Sequence, residues 1–304
     1  MRVATVGNFD GVHRGHQALI ERARGHLAED PDDSVVVVTF DPHPQAVLRP
    51  DSAPTMLASL SRRCELLGEA GADEVVVVPF TRELAAHSPE EFARFLREDP
   101  RIAADVVVVG ENFRFGQRAS GDVVELARLG EELGFAVDAV PLVRSDLAQD
   151  PADASVAWSS SHVRDCIAAG DLPGATAALG HFHRVEGPVR HGDARGRELG
   201  YPTANLAVDP QMALPPDGVY AGWLLDGPDR YPAAISIGTN PQFAGTERRV
   251  EAYVLDRDDL DLYDRHVSLD LVERLRGQAT FDSVDALVEQ MGRDVAVARE
   301  VLLG

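Results

Sequence analysis

Two rhythms of apolar residues divide this chain. In the first half, short valine-rich runs at residues 3–6, 35–38, 75–78 and 106–109, with a fifth over 135–140, are apolar at nearly every position. Such runs suit strands buried on both faces of a parallel sheet, because a half-exposed strand would alternate. Between them lie helix-like stretches at about 15–29, 59–70, 89–98 and 120–134. Ser88-Pro89-Glu90-Glu91 marks the third as a start, with a serine cap, proline at the first helical position and acids in the first turn. The repeated β-α-β order predicts a doubly wound α/β domain.

From about residue 181 the rhythm changes to alternation, at 219–224, 233–237, 249–255 and 267–272. Turn residues separate these segments, notably Asp226-Gly227-Pro228 and Asn240-Pro241, which predicts an antiparallel sheet or small barrel. A last amphipathic helix is expected from about Asp282-Ser283 to Leu303, with Val284, Leu287, Val288, Met291, Val295 and Ala298 on one stripe. Two domains are expected, 1–182 and 183–304, with the Pro- and Asp-rich stretch 145–154 read as a loop inside the first.

Composition narrows the functional classes. The 304 residues are 44% hydrophobic and 26% charged, as in an ordinary globular protein of two domains. A formal charge of -21 argues against a nucleic-acid partner held by broad electrostatic attraction. An anionic substrate would have to be met locally, by helix ends, a few Arg and His, or a metal ion. Cys64 and Cys166 lack any metal or disulfide spacing and read as buried thiols. No apolar run approaches the length of a membrane span and no signal-peptide pattern is present, so a cytoplasmic protein is expected.

The unusual sequences fall after the strands, where open α/β sheets bind ligands. Gly7 to His16, G-N-F-D-G-V-H-R-G-H, follows the first strand and opens the first helix. Glycines permit close backbone approach, and His13 and His16 stand at a helix N-terminus that favours anions. The plain alternative is a turn with two surface histidines. Thr39 to Pro44 follows the second strand, Gly110 to Gly116 the fourth, and Ser159 to Arg164 the fifth, where the serines could equally be N-caps.

In the second half, a Gly- and Arg-punctuated loop from Gly187 to Arg197 leads to Gly200-Tyr201-Pro202-Thr203-Ala204-Asn205. There is no P-loop. On an extended segment Thr203 and Asn205 would share a side and offer hard oxygen ligands of the kind Mg²⁺ accepts. Glu251 lies within an alternating strand, either outward-facing or a candidate general base.

Together these motifs resemble the bacterial bifunctional riboflavin kinase/FAD synthetases over essentially the whole chain. Gly7 to His16 is similar to that family's adenylyltransferase signature, a version of H-x-G-H. Phe40 to Pro44, Gly110 to Gly116 and Ser159 to Arg164 are similar to its later motifs. Pro202-Thr203-Ala204-Asn205 resembles its P-T-A-N element, and Ile237 to Pro241 with Arg248 to Tyr253 resembles the strand bearing its catalytic acid. The resemblance implies a Rossmann-like nucleotidyltransferase domain followed by an antiparallel β-barrel kinase domain with a terminal α-helix.

It also implies two reactions: ATP-dependent phosphorylation of riboflavin to FMN by the C-terminal module, then adenylyl transfer from ATP to FMN, giving FAD and pyrophosphate, by the N-terminal module. His13, His16 and Glu251 would be catalytic. Gly7, Asn8, Phe9, Asp10, Gly15, His43, Asn112, Ser160, Ser161 and Arg164 would bind ATP or phosphate for adenylyl transfer. Gly187, His191, Gly192, Arg195, Pro202, Thr203 and Asn205 would bind ATP in the kinase, with Thr203 and Asn205 holding Mg²⁺. Arg276 and Phe281 would meet the flavin. Partners would be riboflavin, FMN and ATP, without nucleic acid or membrane. Ser161 and Val163 replace the more usual Thr and Ile of the fourth motif, and the sequence starts almost at the first expected strand, without the leading segment common in the family. Serine keeps the hydroxyl and loses the methyl that stiffens χ1. A flavin- or nucleotide-binding regulator with one inactive module, or a transferase for another substrate, are the alternatives. Both histidines, Asn112, Thr203, Asn205 and Glu251 speak against the first, and the P-T-A-N barrel against the second.

Overall fold

The computed structural model describes the chain apart from residues 29, 145–156, 192–198 and 240–247. Gly192, Arg195, the 145–154 loop and the Asn240-Pro241 turn therefore lie outside the described residues. Two compact units emerge, Met1–Ser160 and Ser161–Gly304.

In the first unit, strands β1 (Arg2–Val6), β2 (Ser34–Asp41), β3 (Glu74–Pro79), β4 (Val106–Gly110) and β5 (Ala136–Val140) form a parallel sheet in the order β3-β2-β1-β4-β5. Valine runs make these strands because both faces are covered. Ala4, Val6, Val36, Val38, Val107 and Val109 pack on one side with Phe92, Leu96, Leu126 and Leu129. Val3, Val35, Val37 and Val108 pack on the other with Ile20, Leu66 and Leu67. The covering helices are α1 (Arg14–Arg24) and α3 (Leu60–Glu69) on the second side, and α5 (Pro89–Glu98) and α6 (Val123–Leu133) on the first. The short α2 (Pro44–Leu48) and α4 (Arg82–Ala85) occupy connections.

Two predicted helix limits move for local reasons. α1 stops at Arg24, five residues early, because Gly25 is a poor helix former and the chain turns over Gly25 to Leu27. α6 starts at 123 because the Asp122 carboxylate caps it, accepting the Glu125 amide at 3.0 Å, while Gly121 pairs with Phe115. The Ser88 start is as expected and closes a reciprocal capping box with Glu91.

The second unit begins with α7 (Ser160–Ala169), which straddles the division, and α8 (Leu172–Leu179), which the apolar pattern does not reveal. Asp171 caps α8, Pro173 sits in its first turn and Gly180 ends it in the left-handed region. A closed antiparallel barrel follows from β6 (His183–Arg190), β7 (Thr203–Leu206), β8 (Gly218–Asp226), β9 (Asp229–Thr239), β10 (Arg248–Val254) and β11 (His266–Gly277), ordered β10-β7-β6-β11-β8-β9. Val185, Val189, Tyr220, Leu224, Ile235, Ile237, Val250, Leu269 and Leu271 fill its interior. Helix α9 (Val284–Leu303; Ser283 cap) lies on the outside, where Ala298 meets Ala221. Val284, expected on its packed stripe, is 60% exposed, since the first turn stands clear and burial begins at 286. The stripe instead includes Asp294, whose carboxylate takes Arg276 Nε and Nη2 at 2.9 and 2.7 Å and Gln290 Nε2 at 2.8 Å.

Outside the cores, arginines on helix surfaces pair with nearby acids, as Arg94 with Glu90 and Glu98, Arg128 with Glu125 and Glu132, and Arg293 with Glu289. Exposed pairs of this kind contribute little to stability, because solvent screens them. Cys64 is half-buried and Cys166 buried, both free thiols. No helix among the described residues is long and apolar enough to cross a membrane.

His183 gives the barrel a pH dependence. It is buried, donates Nε2–H to the Ala213 carbonyl at 2.8 Å, and burial pushes its pKa down to about 4 from 6.5. Below pH 6.5 the unfolded chain takes up a proton that the folded barrel refuses, so stability is lost between about pH 6.5 and 4. The loss is about 3 kcal/mol. Denaturation at pH 7 and 4.5, followed on Trp223 in a Trp158→Phe background, should show this loss, and His183→Gln should reduce it. Equal acid sensitivity with and without His183 would rule the assignment out.

Candidate active sites

The order β3-β2-β1-β4-β5 reverses direction between β1 and β4, which opens a crevice beyond the carboxyl ends of those strands. Gly7 to His13 connects β1 to α1 there, and Glu111 and Asn112 follow Gly110 at the end of β4. The first loop is held in an unusual backbone. Phe9 and Val12 have φ of 50° and 41°, the left-handed region that side chains, β-branched ones above all, disfavour. Such conformations cost on the order of 1–3 kcal/mol each and persist where the surroundings enforce them.

Here the enforcement is visible. Phe9 and Val12 are fully buried with Ile20 and Val37. The buried Asp10 carboxylate accepts the amides of Leu57 and Ala58 at 2.9 and 3.3 Å. The loop's own carbonyls are bound from within. Asn8 O accepts Thr39 Oγ1 and Arg63 Nη1, both at 3.0 Å, Asp10 O accepts Ser160 Oγ at 2.9 Å, and Val12 O accepts Gln17 Nε2 at 2.8 Å. Phe9 O accepts the Val12 amide, and His13 O the amides of His16 and Gln17. Carbonyl oxygens that would repel a phosphate are thus turned to protein donors.

His13 and His16 stack with ring centroids 3.6 Å apart, and His16 also lies 4.9 Å from the Phe9 ring. Gly15 makes room for this arrangement, since a Cβ there would sit 3.0 Å from His13 Cε1 and 3.1 Å from the Trp158 carbonyl. Burial, then the neighbouring His13 and Arg63, hold the His16 pKa well below 6.5, so its imidazole is neutral at physiological pH. A neutral ring can donate one N–H and accept at the other nitrogen. His43 caps α2 by accepting the Gln45 amide on Nδ1 at 3.1 Å, and its Nε2 lies 3.4 Å from Asn8 Nδ2. Gly7, Asn8, Phe9, Asp10, His13, Gly15, His16, His43 and Ser160 therefore form one connected group. Asn112 is exposed on the turn after β4, and Ser161 and Arg164 lie further along α7.

In the barrel, antiparallel pairing sets Asn205 directly opposite Glu251 and Thr203 opposite Tyr253. On the other flank of β10, Ser236 faces Glu251. Directly paired residues share a face. Ala204, Leu206, Val250 and Ala252 point to the core, so Thr203, Asn205, Glu251 and Ser236 stand together on the outer surface, half-buried. The sequence left Glu251 open between an outward position and a base, and it is outward and beside the hydroxyl and amide. Gly187 has a backbone reason: a Cβ would lie 2.3 Å from the Ala207 carbonyl. His191 stacks on Tyr263 with centroids 3.9 Å apart. The Arg276 guanidinium is taken by Asp294 and the Gly277 carbonyl, with Phe281 5.9 Å away. Pro202 precedes β7 and is half-buried.

Sequence reasoning missed Arg63, Gln17 and Ser236. Arg63 had a signal, since it falls on the helical face of Leu66 and Leu67, where a charge is out of place. Every basic residue of the chain besides histidine is an arginine, none a lysine. The neutral state of His16 has a direct check. By NMR its ring should show no titration near pH 6.5, and a midpoint there would contradict the burial that lowers it.

Comparison with known proteins gives both halves of the chain a family. Residues 1–150 match the family model of FAD synthetase and residues 179–302 that of riboflavin kinase. The chain is 36% identical to the bifunctional riboflavin kinase/FMN adenylyltransferase of Escherichia coli, covering 98% of this chain and 92% of that one. It is 30% identical to the enzyme of that name from Bacillus subtilis, over 96% and 90%. A crystal structure described as a macrolide-efflux protein from Streptococcus pneumoniae superposes with a TM-score of 0.84 at 31% identity, covering 98% of this chain and 93% of that one. With both modules matched in order along its length, the chain belongs to the bifunctional riboflavin kinase/FMN adenylyltransferases.

Proposed function

We propose that the two activities of this bifunctional enzyme are carried by the residues just described, with the functional division at 182/183. Riboflavin and ATP give FMN and ADP, and FMN with a second ATP gives FAD and pyrophosphate. The family matches at 1–150 and 179–302 support the boundary.

For the kinase step, the carrying observation is the register that sets Asn205 opposite Glu251. Glu251 takes the proton of the riboflavin 5′-hydroxyl as that oxygen attacks the γ-phosphorus of ATP. Thr203 and Asn205 offer a hydroxyl and an amide oxygen on the same surface, a donor set that fits Mg²⁺. When bound, the ion neutralises charge on the ATP phosphates. Gly187, His191, Gly192, Arg195 and Pro202 complete the ATP side. Arg276, committed to Asp294, serves the flavin by fixing the end of β11 beside Phe281.

For the adenylyl step, the FMN phosphate is already an anion and needs no base. Its oxygen attacks the α-phosphorus of ATP, and the enzyme's task is to align the two and stabilise the departing pyrophosphate. His13 and His16 donate to phosphate oxygens at the mouth of α1, with the backbone of Gly7 to Asp10 and Gly15 beneath. His43, Asn112, Ser160, Ser161 and Arg164 make the remaining phosphate contacts. Both steps use substrates of the cytoplasm, where we place the protein.

The sites separate in experiment. With riboflavin, ATP and Mg²⁺, chromatography should show FMN and then FAD. Glu251→Ala or Asn205→Ala should reduce FMN formation by roughly 10²–10⁴-fold and spare FMN-to-FAD conversion. His16→Ala should do the reverse. Comparable losses in both steps from one substitution would overturn the assignment.

A further inference from the structure

The largest fully buried side chain among the described residues of the first unit is a cation. Arg63, on α3, is 1% exposed. Its Nη1 donates to Asn8 O at 3.0 Å, Thr39 Oγ1 at 3.2 Å and Phe40 O at 2.8 Å. Nη2 reaches Asp41 Oδ1 at 3.4 Å, and Nε is buried with no acceptor. One guanidinium therefore ties the loop after β1 to the carboxyl end of β2. Among the described residues its ion-pair partner is Asp41, at 3.4 Å and 43% exposed, a weak counter-charge for a group so far from water. Burying a charge in this way is costly. Neutral donors would suffice to hold carbonyls, as Thr39, Gln17 and Ser160 do in the same loop. The charge has a use if a polyanion sits on the other side of the loop. Its field already reaches that far, since it helps to keep His16 neutral.

We propose that Arg63 is a positioning residue for adenylyl transfer, holding the signature loop against β2 from beneath and placing a buried positive charge under the triphosphate. It touches neither ATP nor FMN. It acts through Asn8, keeping that carbonyl turned inward, and through the loop the carbonyl belongs to. The inference rests on reading Gly7 to His16 as the adenylyl site.

The test uses the full chain with Arg63→Met, Arg63→Lys and His16→Ala, each assayed for FMN-to-FAD conversion and checked for folding by thermal unfolding. Arg63→Met should lower kcat by about 100-fold, the scale of losing one preorganised electrostatic contact, with the KM for FMN little changed. Arg63→Lys, which keeps the charge and loses the fork, should recover about tenfold of that loss. If lysine recovers nothing over methionine, or if methionine costs less than about threefold, Arg63 only fills space and ties carbonyls, and the proposal falls. Where methionine fails to fold, lysine against the unaltered protein decides: a kcat within about tenfold of the unaltered protein, with the KM for FMN unchanged, supports the proposal, and a larger loss in kcat overturns it. If His16→Ala makes FAD normally, the site reading itself fails and Arg63 falls with it. If His16→Ala is inactive while Arg63→Met is not, Arg63 alone is overturned.

Discussion

A parallel sheet packed on both faces leaves almost nowhere for polar chemistry except its edge. In this protein β1, β2 and β4 are valine-lined on each side, so their side chains are spent on packing. What acts on ATP must come from the connections beyond their carboxyl ends. That constraint explains why the Gly7 to His16 loop is so heavily tethered. A loop on a rigid edge is only as exact as its fastenings, and this one is fastened through Asp10, Thr39, Gln17, Arg63 and Ser160.

The barrel solves the same problem on its outside. Its interior is sealed by Tyr220, Ile235, Leu269 and their neighbours. Period-two alternation then sends every second residue of β7 and β10 outward, and pairing sets Asn205 beside Glu251 without any loop to position them. A slip of one residue would turn both inward and Ala204 and Ala252 out, so the core that specifies the register also sets these two candidate site residues side by side.

The sheet was legible because strands apolar at every position have few other readings, and the family motifs marked the loops. Other parts were hidden for identifiable reasons. In β6 the inward positions are His183, Val185, Gly187 and Val189, half of which do not count as apolar. β7 is only four residues long. Asp294 and Arg63 lie on buried helix faces, where a pattern that treats charge as exposure points the wrong way. The candidate site residues carried by motifs were named in advance, but the tether beneath them was not. A tether is defined by acceptors scattered over residues 8, 39, 40 and 41, and nothing in the local spelling of α3 links Arg63 to them.

The paired arginines on the helix surfaces have a further consequence. With many guanidiniums already matched to carboxylates and a net charge of -21, the outer field of the molecule is negative. ATP and FMN are polyanions, so the net field of the enzyme opposes the approach of its own substrates. Beyond a Debye length, about 8–10 Å at ordinary ionic strength, that repulsion is screened away. Capture is therefore a short-range event, which in the proposed adenylyl site falls to imidazoles, loop backbone and a cation kept out of sight of the solvent.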